Sequence, residues 1–297
     1  MRNFTRLILS VAAVASAAIC ADAQERTDLL WLAGEATPWG WSLDDASCIA
    51  ATAEDPDIYT GTLYLEADKD FKFLTTFDWG NTELRPVVSC KPDADGKVKL
   101  TSISGDDNDF KIQVSESANY LITVNTATME ATFAKSEYQA THINFATIFM
   151  TGDATSGGWS IDAGTVMRQN PQIPYAFAAT DTELNAGSFK IFYIMKGARS
   201  FDSKYFYFRD ANDNGKMVLN SSEDNKWNIS EAGKYDISAN TEALLISIAP
   251  AQAGIDDIRA DEAPATYYNM QGIRISNPSA GQLLIKVHGN KSSKIRF

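Results

Sequence analysis

Apolar and polar residues alternate along many short stretches of the chain. A period of two places every second side chain on one face of a strand, so each stretch predicts a half-buried β-strand. No stretch has the three-to-four-residue apolar period of a long amphipathic helix, and the pattern therefore predicts an all-β fold. The clearest stretches are Phe71/Phe73, Phe110/Ile112/Val114, Tyr120/Ile122/Val124 and Met129/Ala131/Phe133, followed by Phe189/Ile191/Tyr193, Tyr235/Ile237 and Leu244/Ile246/Ile248.

The pattern occurs twice because the sequence contains an internal repeat. Residues 31–37, Trp-Leu-Ala-Gly-Glu-Ala-Thr, recur as residues 149–155, Phe-Met-Thr-Gly-Asp-Ala-Thr, at an offset of 118. Five further blocks follow in the same order in both halves, which indicates duplication of one module. These blocks are 41–44 with 159–162, 71–73 with 189–191, 95–98 with 214–217, 107–110 with 224–227 and 120–126 with 235–241.

The repeat defines the organisation of the chain. We predict a first module over residues 24–138 and a second over 143–250, each with a tight hairpin turn, at Asp95-Gly96 and Asn214-Gly215. About seven short strands in about 105 residues are typical of an immunoglobulin-like β-sandwich. The predicted fold is therefore two tandem immunoglobulin-like β-sandwich modules plus a short C-terminal β tail. Residues 251–265 are expected to be a linker, and residues 266–297 a tail that is too small to bury a core of its own.

The first 23 residues have the features of an export signal. Arg2 and Arg6 precede an apolar stretch, and Ala21 to Ala23 form a small-x-small cleavage site. Cys20 raises the alternative of an acylated lipoprotein, although Ile19 before it is larger than the residue that lipoprotein processing prefers. We expect an exported protein, at the cell surface or outer membrane or outside the cell.

Composition excludes several functional classes. The formal net charge of −12 disfavours nucleic acid and anionic lipid as partners, so a neutral partner is expected. Two histidines and two cysteines after the signal, Cys48 and Cys90, offer little for a metal or nucleophile site, and no cofactor is predicted. The two thiols are able either to pair as a disulfide or to remain free.

The acidic residues do not form a recognisable catalytic or calcium motif. Asp210-x-Asn212-x-Asn214-Gly215 matches the first half of a calcium loop, but its twelfth position is Ser221 instead of a bidentate Glu, so we expect a hairpin turn. Adjacent acids such as Asp44 and Asp45 point apart on one strand or turn and do not flank a scissile glycosidic bond. We therefore predict that the protein is not an enzyme.

The opening segments of both modules resemble the SusE and SusF starch-binding outer-membrane proteins. Residues 30–42 and 150–160 share with them a strand, a Gly-Asp-Ala-Thr-like turn and a Trp-bearing loop, with Phe-Lys-Phe about thirty residues further on. The resemblance covers residues 28–250 and implies non-catalytic binding of a neutral polysaccharide, with a starch-like α-glucan as the expected ligand. It also implies partners among other glycan-uptake outer-membrane proteins. The C-terminal tail resembles the sorting tails of type IX secretion substrates, which SusE and SusF lack.

A carbohydrate site needs a flat aromatic platform with polar groups beside it, because sugar rings combine apolar C–H faces with polar rims. In the first module Trp39 is a candidate platform, and the loop after residue 75 contains Asp78, Trp79 and Asn81. The family pattern of a loop Trp, a strand Lys and a second aromatic implies Trp41, Lys72 and Trp79. In the second module it implies Trp159 and Lys190. Position 197 is Gly, so the second aromatic is expected to be Phe201, Tyr205 or Tyr207.

Each candidate also has a structural interpretation. Trp41 and Trp159 could cover the end of the sandwich as part of the core, and Lys72 and Lys190 could be solvated strand residues. Trp31 and Trp227 alternate in phase with core positions and are predicted to be structural. The alternative function is a structural or adhesive surface module that does not bind sugar.

Overall fold

The protein is built almost entirely from antiparallel β-sheet. The computed structural model describes residues 28–77, 79, 82–104, 110–194, 201, 204–251, 266–268, 274–275, 278–279, 282–288 and 291–296. These residues form two large antiparallel sheets of nine strands each and a third sheet of four strands. The one helical element among them is a single 3₁₀ turn, Leu43–Asp45. The predicted all-β fold of two sandwich modules and a β tail is confirmed.

The first sheet holds the strands of the first module in the order β6-β9-β8-β3-β2-β1-β4-β5-β7. Its longest pairing joins β3 and β8 over eight residues, from Ile58 opposite Asn125 to Leu65 opposite Ala118. The nine strands are β1 (Leu29–Gly34), β2 (Cys48–Ala51), β3 (Ile58–Leu65), β4 (Phe71–Leu74), β5 (Glu83–Arg85), β6 (Lys97–Lys99), β7 (Thr101–Ile103), β8 (Ala118–Asn125) and β9 (Glu130–Lys135).

The second sheet repeats this order with β15-β14-β13-β10-β11-β12-β17-β18, and β16 pairs with β13. By their pairing, β10 to β13 correspond to β1 to β4, and β17 and β18 correspond to β8 and β9. The nine strands are β10 (Thr147–Thr151), β11 (Thr165–Asn170), β12 (Ile173–Leu184), β13 (Gly187–Phe192), β14 (Phe206–Arg209), β15 (Met217–Leu219), β16 (Trp227–Ile229), β17 (Gly233–Asn240) and β18 (Leu245–Pro250).

Each module has more strands than the seven that we predicted. The additional strands are three-residue segments, which are too short to give a convincing alternation. The predicted strand at Phe110/Ile112/Val114 forms no continuous strand, and only isolated bridges connect Ile112 and Val114 to their neighbours. Both side chains are nevertheless buried, so the alternation correctly identified core positions.

Apolar residues on one face of each strand fill the interior of each module. Phe71, Phe73 and Phe133 pack against one another in the first module, with ring centroids 5.7 to 6.4 Å apart. In the second module Phe189 stacks on Trp227 with centroids 5.6 Å apart. Trp31 and Trp227 are both buried, as their phase in the sequence indicated.

The two modules pack directly against each other along β2 and β3. The Oε1 atom of Gln169 accepts a hydrogen bond from the Thr62 N–H at 2.5 Å, and the Thr147 hydroxyl donates to the Cys48 carbonyl at 2.9 Å. A Cβ atom on Gly61 would lie 2.6 Å from the Cβ of Ala146, so only glycine permits this approach. Apolar residues of both modules belong to one continuous buried cluster, and we therefore regard the pair as one packed unit.

The segment between β9 and β10 is also held in place. Asn119 on β8 donates through Nδ2 to the carbonyls of Tyr138 and Thr141, and its Oδ1 accepts from the Ile143 N–H. The ring of His142 stacks on Tyr64 with centroids 3.6 Å apart. The connection between the modules is therefore an ordered part of their interface.

Replacing Gln169 by alanine is expected to destabilise the whole two-module unit. The buried amide also donates to the Pro174 carbonyl at 2.9 Å, so its loss leaves polar groups of both modules unpaired. Each such group costs about 1 to 3 kcal/mol, which predicts a loss of about 3 kcal/mol in the free energy of unfolding. Urea denaturation measures this loss, and the exposed Gln172→Ala is the control. Equal unfolding midpoints for the two variants would contradict the interface.

The C-terminal tail forms a sheet in the order β20-β19-β21-β22. The strands are β19 (Thr266–Tyr268), β20 (Arg274–Ile275), β21 (Leu283–His288) and β22 (Lys291–Arg296).

Several predictions concern residues outside the described part of the chain, namely the export signal, Cys20 and the linker after residue 251. Within the described part no helix is long and apolar enough to cross a membrane. No disulfide joins Cys48 and Cys90 in this structure, so the disulfide alternative is wrong here. Burial raises the pKa of the Cys90 thiol above its usual value.

Candidate glycan-binding site

The repeated Gly-x-Ala-Thr turn has the same geometry in both modules and carries a tryptophan loop. The Thr37 hydroxyl donates to the Gly34 carbonyl at 2.7 Å, and the Thr155 hydroxyl donates to the Gly152 carbonyl at 2.9 Å. The Gly34 N–H then donates to the Gly40 carbonyl, and the Gly152 N–H donates to the Gly158 carbonyl, both at 2.9 Å. This closure places Trp41 and Trp159 directly after equivalent left-handed glycines.

In the first module two tryptophans and a lysine lie together. Lys72 lies on β4 with its side chain on the opposite face from Phe71 and Phe73, and its Nζ is 5.9 Å from the Trp41 ring centroid and 5.2 Å from that of Trp79. The two indole centroids are 6.3 Å apart at an interplanar angle of 48°. Trp79 remains 43% exposed, whereas Trp41 is partly buried against the core. Trp41 therefore belongs to the aromatic pair and also packs against the core at the end of the sandwich.

The lysine of this cluster is not solvated. Lys72 is only 5% exposed, and its ammonium contacts the Glu83 carboxylate on the adjacent strand β5 at 2.5 Å. A buried charge needs such a partner, because desolvation without one costs several kcal/mol. The solvated alternative for Lys72 is wrong, and the ion pair fixes the ammonium beside the two indoles.

The second module has the same arrangement with different partners. Lys190, 6% exposed, contacts Asp224 at 2.9 Å, so the solvated alternative is wrong here too. Its Nζ is 5.6 Å from the Trp159 centroid and 5.9 Å from that of Phe201. The Trp159 and Phe201 centroids are 6.3 Å apart, and these side chains are 36% and 42% exposed. Both modules thus place an aromatic pair over a buried, ion-paired lysine, and at least one ring of each pair is exposed.

The second aromatic of this module is Phe201, and not Tyr205 or Tyr207. Tyr207 is buried on the opposite face of β14 from Phe206 and Phe208, and Tyr205 packs on Tyr193 with centroids 5.2 Å apart. Burial is also the largest cause of the raised pKa of Tyr207. Neither tyrosine ring is part of the pair formed by Trp159.

The sequence comparison left three candidates for the second aromatic because the second module has an insertion between β13 and β14. Phe73 pairs with Leu84, and its counterpart Ile191 pairs with Tyr207, so the offset rises from 118 to 123 across the loop. With the offset of β13, the counterpart of Trp79 is Gly197. With the offset of β14, its counterpart is the position next to Phe201. The strand pairing after the loop was the signal that the sequence comparison lacked.

Two further lysines belong to these clusters, and the sequence analysis did not identify them. The Nζ of Lys111 is 5.3 Å from the Trp41 centroid, and the Nζ of Lys226 is 5.7 Å from the Trp159 centroid. They are equivalent residues, because Ile112 pairs with Phe71 as Trp227 pairs with Phe189. The pairing gives an offset of 115, so the predicted match of residues 107–110 with 224–227 is two residues out of register.

The remaining candidates lie elsewhere. Trp39 is buried and its indole Nε1 donates to the Leu32 carbonyl at 2.6 Å, so this residue belongs to the core and not to a surface platform. Its position in a loop gave no sign of this hydrogen bond. Asp78 and Asn81 lie outside the described residues.

The surroundings of the two lysines differ at one pair of positions. Glu83 and Arg85 of β5 correspond by pairing to Phe206 and Phe208 of β14. The Nζ of Lys190 lies 5.0 and 4.9 Å from the Phe206 and Phe208 centroids, at the positions that Glu83 and Arg85 occupy in the first module. A cation over aromatic rings is stabilised by their quadrupoles.

The charge that balances Lys190 comes from Asp224, in the loop before β16. Asp224 contacts Lys190 and also Lys226. Hydrogen bonding to Lys226, with a smaller contribution from Lys190, lowers the pKa of the Asp224 carboxyl although partial burial opposes this. The carboxylate therefore stays ionised well below neutral pH.

The clusters contain groups that are suited to binding a sugar. An exposed pair of rings can receive the C–H face of a sugar, and a fixed ammonium can donate to hydroxyl oxygens. Among the described residues no group of three or more His, Cys, Asp or Glu side chains could hold a metal ion. The Asp210 carboxylate accepts the backbone N–H groups of Asn212 and Asp213 in the turn between β14 and β15, as a hairpin requires.

The fold and these clusters define a two-module all-β protein with a repeated aromatic and lysine surface. The sequence matches no protein-family model, and no curated protein matches it significantly. Among solved structures, SusF from Bacteroides thetaiotaomicron is similar to 76% of this chain at 15% sequence identity and a TM-score of 0.29. This chain spans 48% of the SusF chain, which is about half its length. At this identity and TM-score the likeness establishes neither family nor ligand.

Proposed function

We propose that the protein is a non-catalytic binder of a neutral polysaccharide, with an α-glucan of the starch type as its ligand. The observation that carries the proposal is an aromatic pair with an exposed ring beside a buried, ion-paired lysine, which occurs at equivalent places in both modules. Large exposed aromatics without a structural partner on the solvent side are typical of binding surfaces. The duplication of the cluster favours a function that benefits from two sites.

Two weak sites on one molecule bind a polymer more strongly than either does alone. The second binding event is intramolecular, so its effective concentration is high when both sites engage one chain. A repeating polysaccharide presents many copies of the same unit and satisfies this condition. We propose that the protein acts at the cell surface or outside the cell, with other glycan-uptake proteins of the outer membrane as its partners.

Affinity electrophoresis tests the proposal directly. We expect native gels that contain amylopectin to retard the protein, and gels that contain a charged polysaccharide to leave its mobility unchanged relative to bovine serum albumin. Unchanged mobility in every neutral polysaccharide would refute sugar binding and favour the structural or adhesive role. Release of reducing sugar during prolonged incubation would instead refute the non-catalytic assignment.

A further inference from the structure

A large cleft lies between the two modules, away from the aromatic clusters. It has a volume of about 760 Å³, and both modules contribute to its walls. The first module supplies residues 50–54 and Thr60, and the second supplies parts of β11, β12, β17 and β18. Ligand sites of about 300 to 1,000 Å³ occur preferentially at such domain interfaces.

Several polar side chains around this cleft keep donors or acceptors that form no hydrogen bond within the described protein. The Nε of Arg168 donates to the Ala51 carbonyl at 2.6 Å, and its two terminal nitrogens have no partner among the described residues. The Oδ1 of Asn240 accepts the N–H groups of Glu242 and Ala243, which leaves its Nδ2 donors available. In the described part of the chain the Ser247 hydroxyl bonds to no protein group. The cleft therefore offers fixed donors and acceptors to a ligand.

The charges and the floor of the cleft restrict the ligand class. Among the described residues that line it, Arg168 is the single basic side chain and Glu54 the single acidic one, so these residues carry no net charge. Apolar side chains form most of the remaining surface, among them Ala176, Ala178 and the half-exposed Leu245, and the aromatic ring of Phe177 beside them is buried. A neutral ligand that combines apolar C–H faces with hydroxyl groups matches this combination better than an ion does.

We infer that the cleft between the modules is a separate binding site for a short neutral oligosaccharide, which hydrogen bonds recognise instead of aromatic stacking. This inference rests on the proposed function for its ligand class, but not on the aromatic clusters. Because both modules form the walls, the site exists only in the packed pair.

The test uses isothermal titration of the full chain with maltotriose, cellotriose and mannotriose as neutral probes and trigalacturonate as an acidic one. A protein with the exposed Trp79, Trp159 and Phe201 all changed to alanine isolates the cleft without removing Trp41, which packs against the core. We expect this variant to bind one of the neutral probes, and Ala178→Phe or Ser247→Phe in the same background to weaken that binding at least tenfold. The matched control is Ala249→Phe, which adds the same ring to the same face of β18 outside the cleft.

The inference and the proposed function fail in different ways. If the unmodified chain binds amylopectin but the three-residue variant binds no neutral trisaccharide, the cleft site is refuted and the proposed function stands. A second outcome is that a trisaccharide binds the variant, Ser247→Phe abolishes this binding, and no polysaccharide retards the unmodified chain. That outcome supports the cleft site and refutes polysaccharide binding at the aromatic clusters. Binding of trigalacturonate alone, or equal effects of Ser247→Phe and Ala249→Phe, would overturn the inference. Ser247 is exposed, so its variant is expected to fold.

Discussion

A protein in which Trp79 and Phe201 are both replaced by alanine should no longer be retarded by amylopectin. Each side chain is the most exposed member of its aromatic pair, so its loss removes the contact surface without opening the core. Removal of a central aromatic contact costs about 2 kcal/mol, which is about 30-fold in affinity at each site. The double variant loses affinity at both sites and also loses the avidity that two sites provide. Its binding to amylopectin should therefore be too weak to detect.

The single variants and a control separate binding from folding. Trp79→Ala and Phe201→Ala should each leave one intact cluster and an intermediate mobility. Leu219→Ala removes a similarly exposed apolar side chain on the face of the sheet opposite Lys190, and it should behave like the unmodified protein. The clusters are not glycan sites if the double variant and Leu219→Ala have the same mobility.

Replacing Gly34 or Gly152 by alanine should strongly destabilise the fold. The backbone φ angles are +152° and +150°, and a Cβ atom would lie 2.2 Å from the Asp70 carbonyl oxygen or 2.1 Å from that of Ser188. Those carbonyls accept the N–H groups of Ala36 and Ala154, so the strands cannot separate without losing the turn. We expect a loss of about 4 kcal/mol in the free energy of unfolding, measured by urea denaturation.

Two other glycines in the same loops provide the control. Gly40 and Gly158 also have positive φ angles, +63° and +59°, but a Cβ atom at either position would meet no other atom within 4 Å. Gly40→Ala and Gly158→Ala should therefore cost about 1 kcal/mol, the usual cost of a left-handed non-glycine residue. If the two pairs of variants have equal unfolding midpoints, the close approach at Gly34 and Gly152 is not what destabilises the fold.

The sequence predicted the features that depend on local periodicity. Phe71 and Phe73 alternate with Lys72, and this correctly placed the phenylalanines in the core and the lysine on the other face. The Gly-x-Ala-Thr repeat identified two copies of one loop, because a tight turn with a buried threonine tolerates few other residues.

The sequence did not predict the features that depend on contacts between distant segments. Trp39 resembled Trp41 as a loop aromatic, and only its hydrogen bond to Leu32 distinguishes it. The burial of Lys72 depends on Glu83 eleven residues away, and that of Lys190 on Asp224, so the two lysines have no common partner in sequence. Lys111 and Lys226 were missed because their equivalence follows from strand pairing and not from similarity.

The position of β2 in the fold has a consequence for how such proteins evolve. All four of its residues are buried, and the Cys48 and Ala51 carbonyls already accept hydrogen bonds from Thr147 and Arg168 of the other module. Either copy expressed alone would expose apolar surface and lose these bonds, which favours aggregation. Because neither copy is expected to be stable alone, recombination between related genes should exchange both modules together and not single modules.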